Sequence, residues 1–480
     1  MMNKQAHSMI MRTVAALLPL FLFISCIDDE KFTSASSAVL QLEIDTLRFD
    51  TIFTGLTSPT ERFIVHNRND KALRIADVSL KSSGRSGFMI NVDGQSGTSV
   101  SNVEVLKKDS VFVFVKVNLP RNSSMKPTFV RDTIIFTLES GMRQQVVLEA
   151  SGQNFRELRA EVLKSDRIIK ADELPYVIYD SLVVGKGVTL EIEAGTTLYF
   201  HNGANLIVHG ELKAEGTREK HIVFRGDRLD KMFDYLPYDR LENQWGSIYL
   251  SKDCTGCTLD YADIHSGNNG ISCDGIGGNL KITNSVIHNV ASHGLYLKDT
   301  KATVANTQIS NAKYNCVSIY GGTSDFYHCT LAQFYPWNAD RGHALLVSNY
   351  LDDEEHLIES AHFYNCFVTG YANDEVFGEP GDKTLNLHFN NCVLLTDVAD
   401  NTYFHDCIGE SKDSVTYQST NFKTFDTHAY IYDFRLDTFS VARGKGSSTY
   451  AELYPADMDG ILRGKKPDAG CFQFVEKKKE

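Results

Sequence analysis

Six segments of the chain repeat one another at an interval of about 22 residues, and no other feature restricts the fold as much. Leu259-Asp-Tyr-Ala-Asp-Ile264, Ile282-Thr-Asn-Ser-Val-Ile287, Val304-Ala-Asn-Thr-Gln-Ile309 and Phe326-Tyr-His-Cys-Thr-Leu331 align with steps of 23, 22 and 22 residues between their last positions. Tyr364-Asn-Cys-Phe-Val368 and Asn390-Asn-Cys-Val-Leu394 continue the series after longer insertions. A unit this short cannot bury its apolar side alone, so neighbouring units must stack and share one core. Leucine-rich repeats have a similar period, but these units lack the LxxLxL frame and are rich in β-branched residues, Asn and Gly. Coils of a parallel β-helix, each laid on the last at about 4.8 Å, fit better.

The repeat predicts side-chain direction. Ser285, Thr307, Cys329, Cys366 and Cys392 face inward, and Ile264, Ile287, Ile309, Leu331, Val368 and Leu394 form an aliphatic ladder. Asn284, Asn306, Asn365 and Asn391 fall at one bend, where stacked amides can bond from coil to coil. In the strands around Ile271, Leu295, Val317 and Leu345, the outward row is Asp274, Lys298, Tyr320 and Ser348, with Ser272, Tyr296, Ser318 and Leu346 beside it. Two insertions, 334–343 and 371–377, are expected to wall a groove along this face. Aromatic rings stack on sugars, and charged groups hold hydroxyls or uronates. Asp274, Tyr296, Lys298, Tyr320, Trp337 and Arg341 are therefore the candidate ligand-binding residues. In a lyase, Lys298 or His343 would serve as base, Tyr320 as acid and Arg341 as the cation that stabilises the enolate.

The remaining chain divides into four. Residues 1–25 read as a secretory leader, because basic Lys4 and Arg12 precede an apolar run too short to span a bilayer. Ser25-Cys26 at its end marks Cys26 for lipid attachment, and acidic residues follow in a tether over 26–38. Strand-period alternation over 39–154, as in Val111-Phe-Val-Phe-Val-Lys-Val117, predicts an immunoglobulin-like β-sandwich. The β-helix occupies 155–475, and 476–480 is a charged tail. The fold class is all-β: a sandwich followed by a right-handed parallel β-helix.

The formal net charge of −13 argues against nucleic acid as a partner. Beyond Cys26 nine cysteines remain, an odd number that leaves at least one unpaired, and the repeat makes most of them core filler. Cys254-Thr-Gly-Cys257 has no partner motif for a zinc site. Asp457-Met-Asp-Gly460 lacks the further ligands of a calcium loop and reads as a tight turn. No metal site and no cofactor are expected.

Gly187-Val-Thr-Leu-Glu-Ile-Glu-Ala-Gly-Thr-Thr-Leu-Tyr-Phe200 and Leu206-Ile-Val-His-Gly-Glu-Leu212 resemble the opening coils of the pectate-lyase-like superfamily. Asp433-Phe-Arg-Leu436, Asp457-Met-Asp-Gly460 and Asp468-Ala-Gly-Cys-Phe-Gln-Phe474 resemble the closing segment of Bacteroidetes β-helix lipoproteins, which implies a C-terminal cap. Asp28-Asp-Glu30 resembles the tether of surface lipoproteins in that group, which implies a lipid-anchored outer-membrane protein facing outward. The paired aspartates and Gly-His-Gly of hydrolases on this fold are absent; the chain has only Ser292-His-Gly294. The leading reading is a surface lipoprotein that binds glycan or a partner protein along the β-helix. A polysaccharide lyase or glycoside hydrolase in the same groove, and a structural or adhesive stalk, are the alternatives.

Overall fold

A computed structural model of the protein describes residues 31–171, 174–400, 402–412 and 420–476. Cys26, the leader before it and all but the first residue of the charged tail lie outside the described residues. Two compact units emerge: one comprises the residues up to Pro120 with Phe129–Gly152, the other Arg121–Thr128 and the residues from Gln153 onward.

The first unit is a β-sandwich of two five-stranded sheets. Alternation decides its layering: in Ser110–Val117 the residues Val113, Val115 and Val117 are fully buried while Ser110 and Lys116 face water. Phe63, Phe136, Val146 and Leu148 complete the core between the sheets. Residues 31–38, read from the sequence as tether, run along this sandwich. Phe32 bridges to Ala72 in parallel, and Ala38 is buried.

Among the described residues of the second unit, 26 parallel strands wind through three faces. The first face holds Asn205–Val208, Ile248–Leu250, Ile271–Asp274, Leu345–Ser348 and Val376–Glu379. The second holds Thr189–Ile192, Glu211–Glu215, Gly256–Asp260, Asn279–Thr283 and Leu387–Asn390. The third holds Ile222–Gly226, Ala262–His265, Val286–Val290, Gln308–Ala312, Thr330–Gln333 and Phe367–Gly370. Leu295–Ala305 and Val317–Tyr327 each turn a corner and serve the first two faces. The aliphatic ladder stands in register as expected: Ile264 pairs with Ile287, Ile287 with Ile309, Ile309 with Leu331, Leu331 with Val368 and Val368 with Leu394, all fully buried.

From Tyr261 onward, the bend between the second and third faces is a left-handed residue. Its φ is 48° at Asn284, 47° at Asn306, 49° at His328, and 52° at both Asn365 and Asn391. This conformation crowds Cβ against the next carbonyl, so a short polar side chain that bonds locally is favoured. Here the amides bond from coil to coil instead: Asn284 donates to Asp260 (2.8 Å) and Asn306 to Asn284 (3.1 Å). The inward residue after each bend closes the turn, as Ser285 and Thr307 donate to the carbonyls of Thr283 and Ala305. Cys329, Cys366 and Cys392 occupy the same position and are buried; the nine described cysteines are free thiols.

The segment expected to cap the end of the helix instead lies along its side. Outward residues of the third face change along the stack from Asp263 and His265 to Ala332, Phe367 and Val393. The apolar part must be covered, and the C-terminal segment covers it. Its hairpin, Phe422–Asp426 with Ile431–Leu436, places Phe422 and Phe434 against Phe334 and Phe367. Beyond the hairpin, Cys471 donates its backbone N–H to Thr330 Oγ1 (3.0 Å). Arg463, 8% exposed, donates to Asn306 Oδ1 (2.9 Å), tying this strap to the bend ladder.

Two outcomes follow from this packing. Asn306→Ala is expected to lose about 2–4 kcal/mol, from an unpaired Arg463 donor and from loss of the bonds to Asn284 and Ala456 that offset the left-handed backbone. Asn306→Gly, which relieves the backbone strain, should lose less. Urea titration followed by tryptophan fluorescence measures both, and coincident midpoints for the three proteins would refute the bend ladder as a source of stability. Deletion of residues 421–480 should expose Phe334, Phe367 and Val393, giving strong dye binding and self-association on a sizing column; a monodisperse, dye-silent product would show that the strap is dispensable.

Candidate functional site

Register places the first-face candidates where the repeat put them. Asp274 pairs with Lys298, Lys298 with Tyr320, and Tyr320 with Ser348. Lys298 Nζ lies 3.2 Å from Asp274, which raises the pKa of the ammonium, and Tyr249 also donates to Asp274 (3.3 Å). The rings of Tyr296 and Tyr320 lean together at 5.4 Å. Burial pushes the Tyr296 phenol up to about 12 and raises Tyr320 as well, so both are neutral near pH 7. Ser318 and Ser348 belong to the outward columns yet are fully buried. Ser318 bonds Asn315 and His293, and Ser348 bonds Glu379 and the carbonyl of Tyr350. Burial lowers His293, the histidine of Ser292-His-Gly294, to about 4.

The insertions do not wall this face as expected. Residues 334–343 turn toward the C-terminal hairpin, because Phe334 is a third-face residue that belongs to the strap's core. Trp337 packs on Tyr430 at 4.2 Å. Arg341 donates to the carbonyls of Tyr335 and Asn338 and lies over the Tyr371 ring, so its role is to hold the loop. His343 stacks on Phe377 and its Nδ1 meets the carbonyl of Asp374 (2.9 Å). The proposed base, acid and cation are thus divided: Lys298 and Tyr320 stand on the first face, whereas Arg341 is tied to its own loop and to Tyr371. Buried Glu375 pins the second insertion, accepting the backbone N–H groups of Ala344 (2.7 Å) and Ala372 (2.6 Å).

A cavity of about 600 Å³ lies on the third face, under the hairpin. Its floor is the polar end of the sheet: Asp263, His288, Gln308, Ser310 and Asn311. Its walls bring Arg218, Arg240 and Arg435 together with Asp433 and Asp459, and its rings are Tyr430, Tyr432 and Phe472. The arginines are held in place: Arg435 grips Asp459 with two N–H groups (2.6 and 2.9 Å), Arg218 donates to the carbonyl of Asp459, and Arg240 to that of Ala429. Asn311, 2% exposed, donates to Asn289 and leaves its Oδ1 without a partner among the described residues.

Beneath the floor, His265 sits between two carboxylates, with Nδ1 2.8 Å from Asp263 and Nε2 2.8 Å from Asp239. His288 Nε2 approaches Asp263 at 3.3 Å, and Arg225 holds Asp239 at 2.9 Å. Burial works against charge on His265, but the flanking carboxylates prevail and raise its pKa to about 9. Both aspartates are lowered in turn: their burial is outweighed by His265, with Arg225 adding to the effect on Asp239. The sequence reading missed this group and named no metal ligands. The signal was present, since His265 and His288 pair directly in register across one coil step.

No family model matches the chain. A stretch of 75 residues, 16% of the chain, is 36% identical to Protein bark beetle of Drosophila melanogaster, and the chain spans about 2% of that protein's length. Among solved structures, the catalytic domain of a GH87 alpha-1,3-glucanase in complex with tetrasaccharides aligns over 69% of this chain and 80% of its own, at 10% identity and a TM-score of 0.21. A family 123 glycoside hydrolase from Clostridium perfringens aligns over 24% of this chain and 26% of its own, at 10% identity and 0.18. The ASH/PapD-like domain of human CEP192 aligns over 25% and 89%, at 15% identity and 0.17. Likeness this slight decides nothing about chemistry, and the site rests on its own geometry.

Glu375 provides a pH test of the insertion. Burial outweighs its two backbone bonds and raises its pKa from 4.5 to about 7. A carboxyl raised on folding gives its full stabilisation below the unfolded value and loses it as pH rises through the folded one. Relative to Glu375→Gln, the natural protein should therefore lose about 3 kcal/mol between pH ~4.5 and ~7. Melting temperatures across that range measure the difference; parallel curves would mean that Glu375 is not held protonated.

Proposed function

We propose that this protein binds carbohydrate in the cleft between the third face of the β-helix and the C-terminal hairpin. The observation that carries this reading is the composition of the cleft. Sugar hydroxyls both donate and accept, and the walls offer guanidinium donors beside carboxylate acceptors. Tyr430, Tyr432 and Phe472 supply faces of the kind on which pyranose rings stack. The volume falls in the range of about 300–1,000 Å³ usual for small-ligand sites, and the polar groups converge on one space. The unpartnered Oδ1 of Asn311 supports the same reading, because a buried acceptor left unmade is costly.

A second reading, a hydrolase or lyase working in this cleft, draws on Asp263 at the floor and on Asp433 and Asp459 in the wall. The protein's place in the cell is a separate proposal, a lipid anchor on Cys26 at the outer-membrane surface. It is supported by the sequence of the leader and tested by incorporation of labelled fatty acid into the natural protein but not into Cys26→Ala.

The test of the main proposal is a glycan array probed with the soluble protein, followed by titration of the best ligand against variants. Arg240→Ala and Tyr430→Ala are expected to weaken binding by about tenfold or more, whereas Tyr320→Ala on the first face should leave it unchanged. The reverse pattern would move the site to the first face, and silence across the array would favour a protein partner or a stalk. Release of unsaturated product or of new reducing ends from the same ligand would establish the enzyme reading.

A further inference from the structure

We infer that Asp263, His265 and His288 form a binding site for one divalent first-row transition-metal ion, of which Zn2+ is the representative. The inference stands apart from the carbohydrate proposal, since it requires only the ion. The donor atoms of these three residues all lie within 4.8 Å of one another. Asp263 Oδ1 is 2.8 Å from His265 Nδ1 and 3.3 Å from His288 Nε2. Donors that share an ion through bonds of about 2.1 Å stand roughly 3.0–3.4 Å apart at adjacent positions, so His288 Nε2 is already spaced as a neighbour to the carboxylate, and His265 Nδ1 need move from it by only a few tenths of an ångström once the proton between them is lost. His288, with a side chain 26% exposed, has room to turn and bring the imidazole nitrogens closer.

Three further features distinguish the group from a chance cluster. Metal-bound histidines commonly give their second ring N–H to a carboxylate, which fixes the tautomer. Asp239 stands in that place, 2.8 Å from His265 Nε2, and is itself oriented by Arg225. The three residues lie on adjacent strands of one rigid sheet, Ala262–His265 and Val286–Val290, so their spacing is set by the ladder and not by a loop. Asp263 and His288 also line the cleft, which leaves the remaining coordination positions open to water or to a ligand oxygen. Two imidazoles and one carboxylate suit Zn2+, Fe2+, Co2+ or Ni2+, whereas Ca2+ and Mg2+ prefer oxygen donors alone. Binding is an exchange: the ion takes the lone pairs of His265 Nδ1 and His288 Nε2, and protons that those nitrogens carried toward Asp263 go to solvent.

The experiment is calorimetric titration of the full chain, stripped with chelator, using Zn2+ and then Ca2+ near neutral pH, with Co2+ absorption as a second readout. One Zn2+ per chain is expected, with visible Co2+ bands of a nitrogen–oxygen site and no thiolate charge-transfer band. His288→Ala and Asp263→Asn should abolish binding, and Asp239→Asn should weaken it roughly 10–100-fold while keeping the stoichiometry. His362→Ala, in a separate histidine column of the second face, should change nothing. Near-ultraviolet circular dichroism confirms that each variant is folded, and His288 and Asp263 give two independent routes if one is not. Absence of saturable Zn2+ binding, its survival in both folded variants, a thiolate band, or Ca2+ binding of equal strength would each overturn the assignment.

Discussion

Everything in the second unit depends on one constraint: each strand must meet the strand of the next coil in parallel and in the same phase. Side chains alternate along a strand, so a slip of one residue would turn the ladder of Ile264, Ile287, Ile309 and Leu331 outward and bring Asp263 and His288 into the core. The left-handed bend holds that phase. A coil can gain or lose residues in its loops, as the insertions before Leu345 and Val376 do, provided that Asn284, Asn306, His328, Asn365 and Asn391 return to the same corner. The bend residue is paired to its neighbour coil by backbone and, for Asn284, Asn306 and Asn365, by side chain, which converts a locally costly conformation into a shared one.

A stack of this kind has outward faces with no intrinsic cover, and the first and third faces solve the problem differently. The first uses its own side chains: Lys298 neutralises Asp274, and Tyr296 leans on Tyr320. The third face, in contrast, becomes apolar along the stack, and the chain returns after the last coil to cover it. The strap is a second core, with Phe334, Phe367, Phe422 and Phe434 in mutual contact. Because it is fitted to the apolar coils, it stands over the polar ones without filling the space, and the cavity is what remains. Stability and site formation thus have one cause.

The chemistry of the cavity floor follows from the same columns. One coil step brings His265 beside His288, and alternation puts Asp263 on the same side of the sheet. Desolvation would ordinarily discharge such groups; here the alternation of carboxylate and imidazole, closed by Asp239 and Arg225, lets each charge be held by the next. A row of this kind is rigid, partly open to the cleft and rich in lone pairs. These properties suit it to hold a cation or to meet a ligand's hydroxyls.

The all-β class, the inward cysteines, the aliphatic ladder and the asparagine bend were legible in the sequence, because each is a one-dimensional pattern whose period matches the geometry of a coil. Even the pairing of His265 with His288 could be read from the step that aligns Ile264 with Ile287. The sandwich strands were legible for the same reason, as in Val113, Val115 and Val117. What the repeat could not convey is where a non-repeating segment goes. Trp337 and Arg341 were assigned to the first face because their insertion precedes a first-face strand, yet Phe334 belongs to a core that exists only once Phe422 and Phe434 arrive from far along the chain. Local periodicity therefore determined the coil, its interior and the direction of the side chains in the repeating segments. The choice of the face that carries the cleft was left to the tertiary structure, because it depends on burying apolar surface between segments that no period relates.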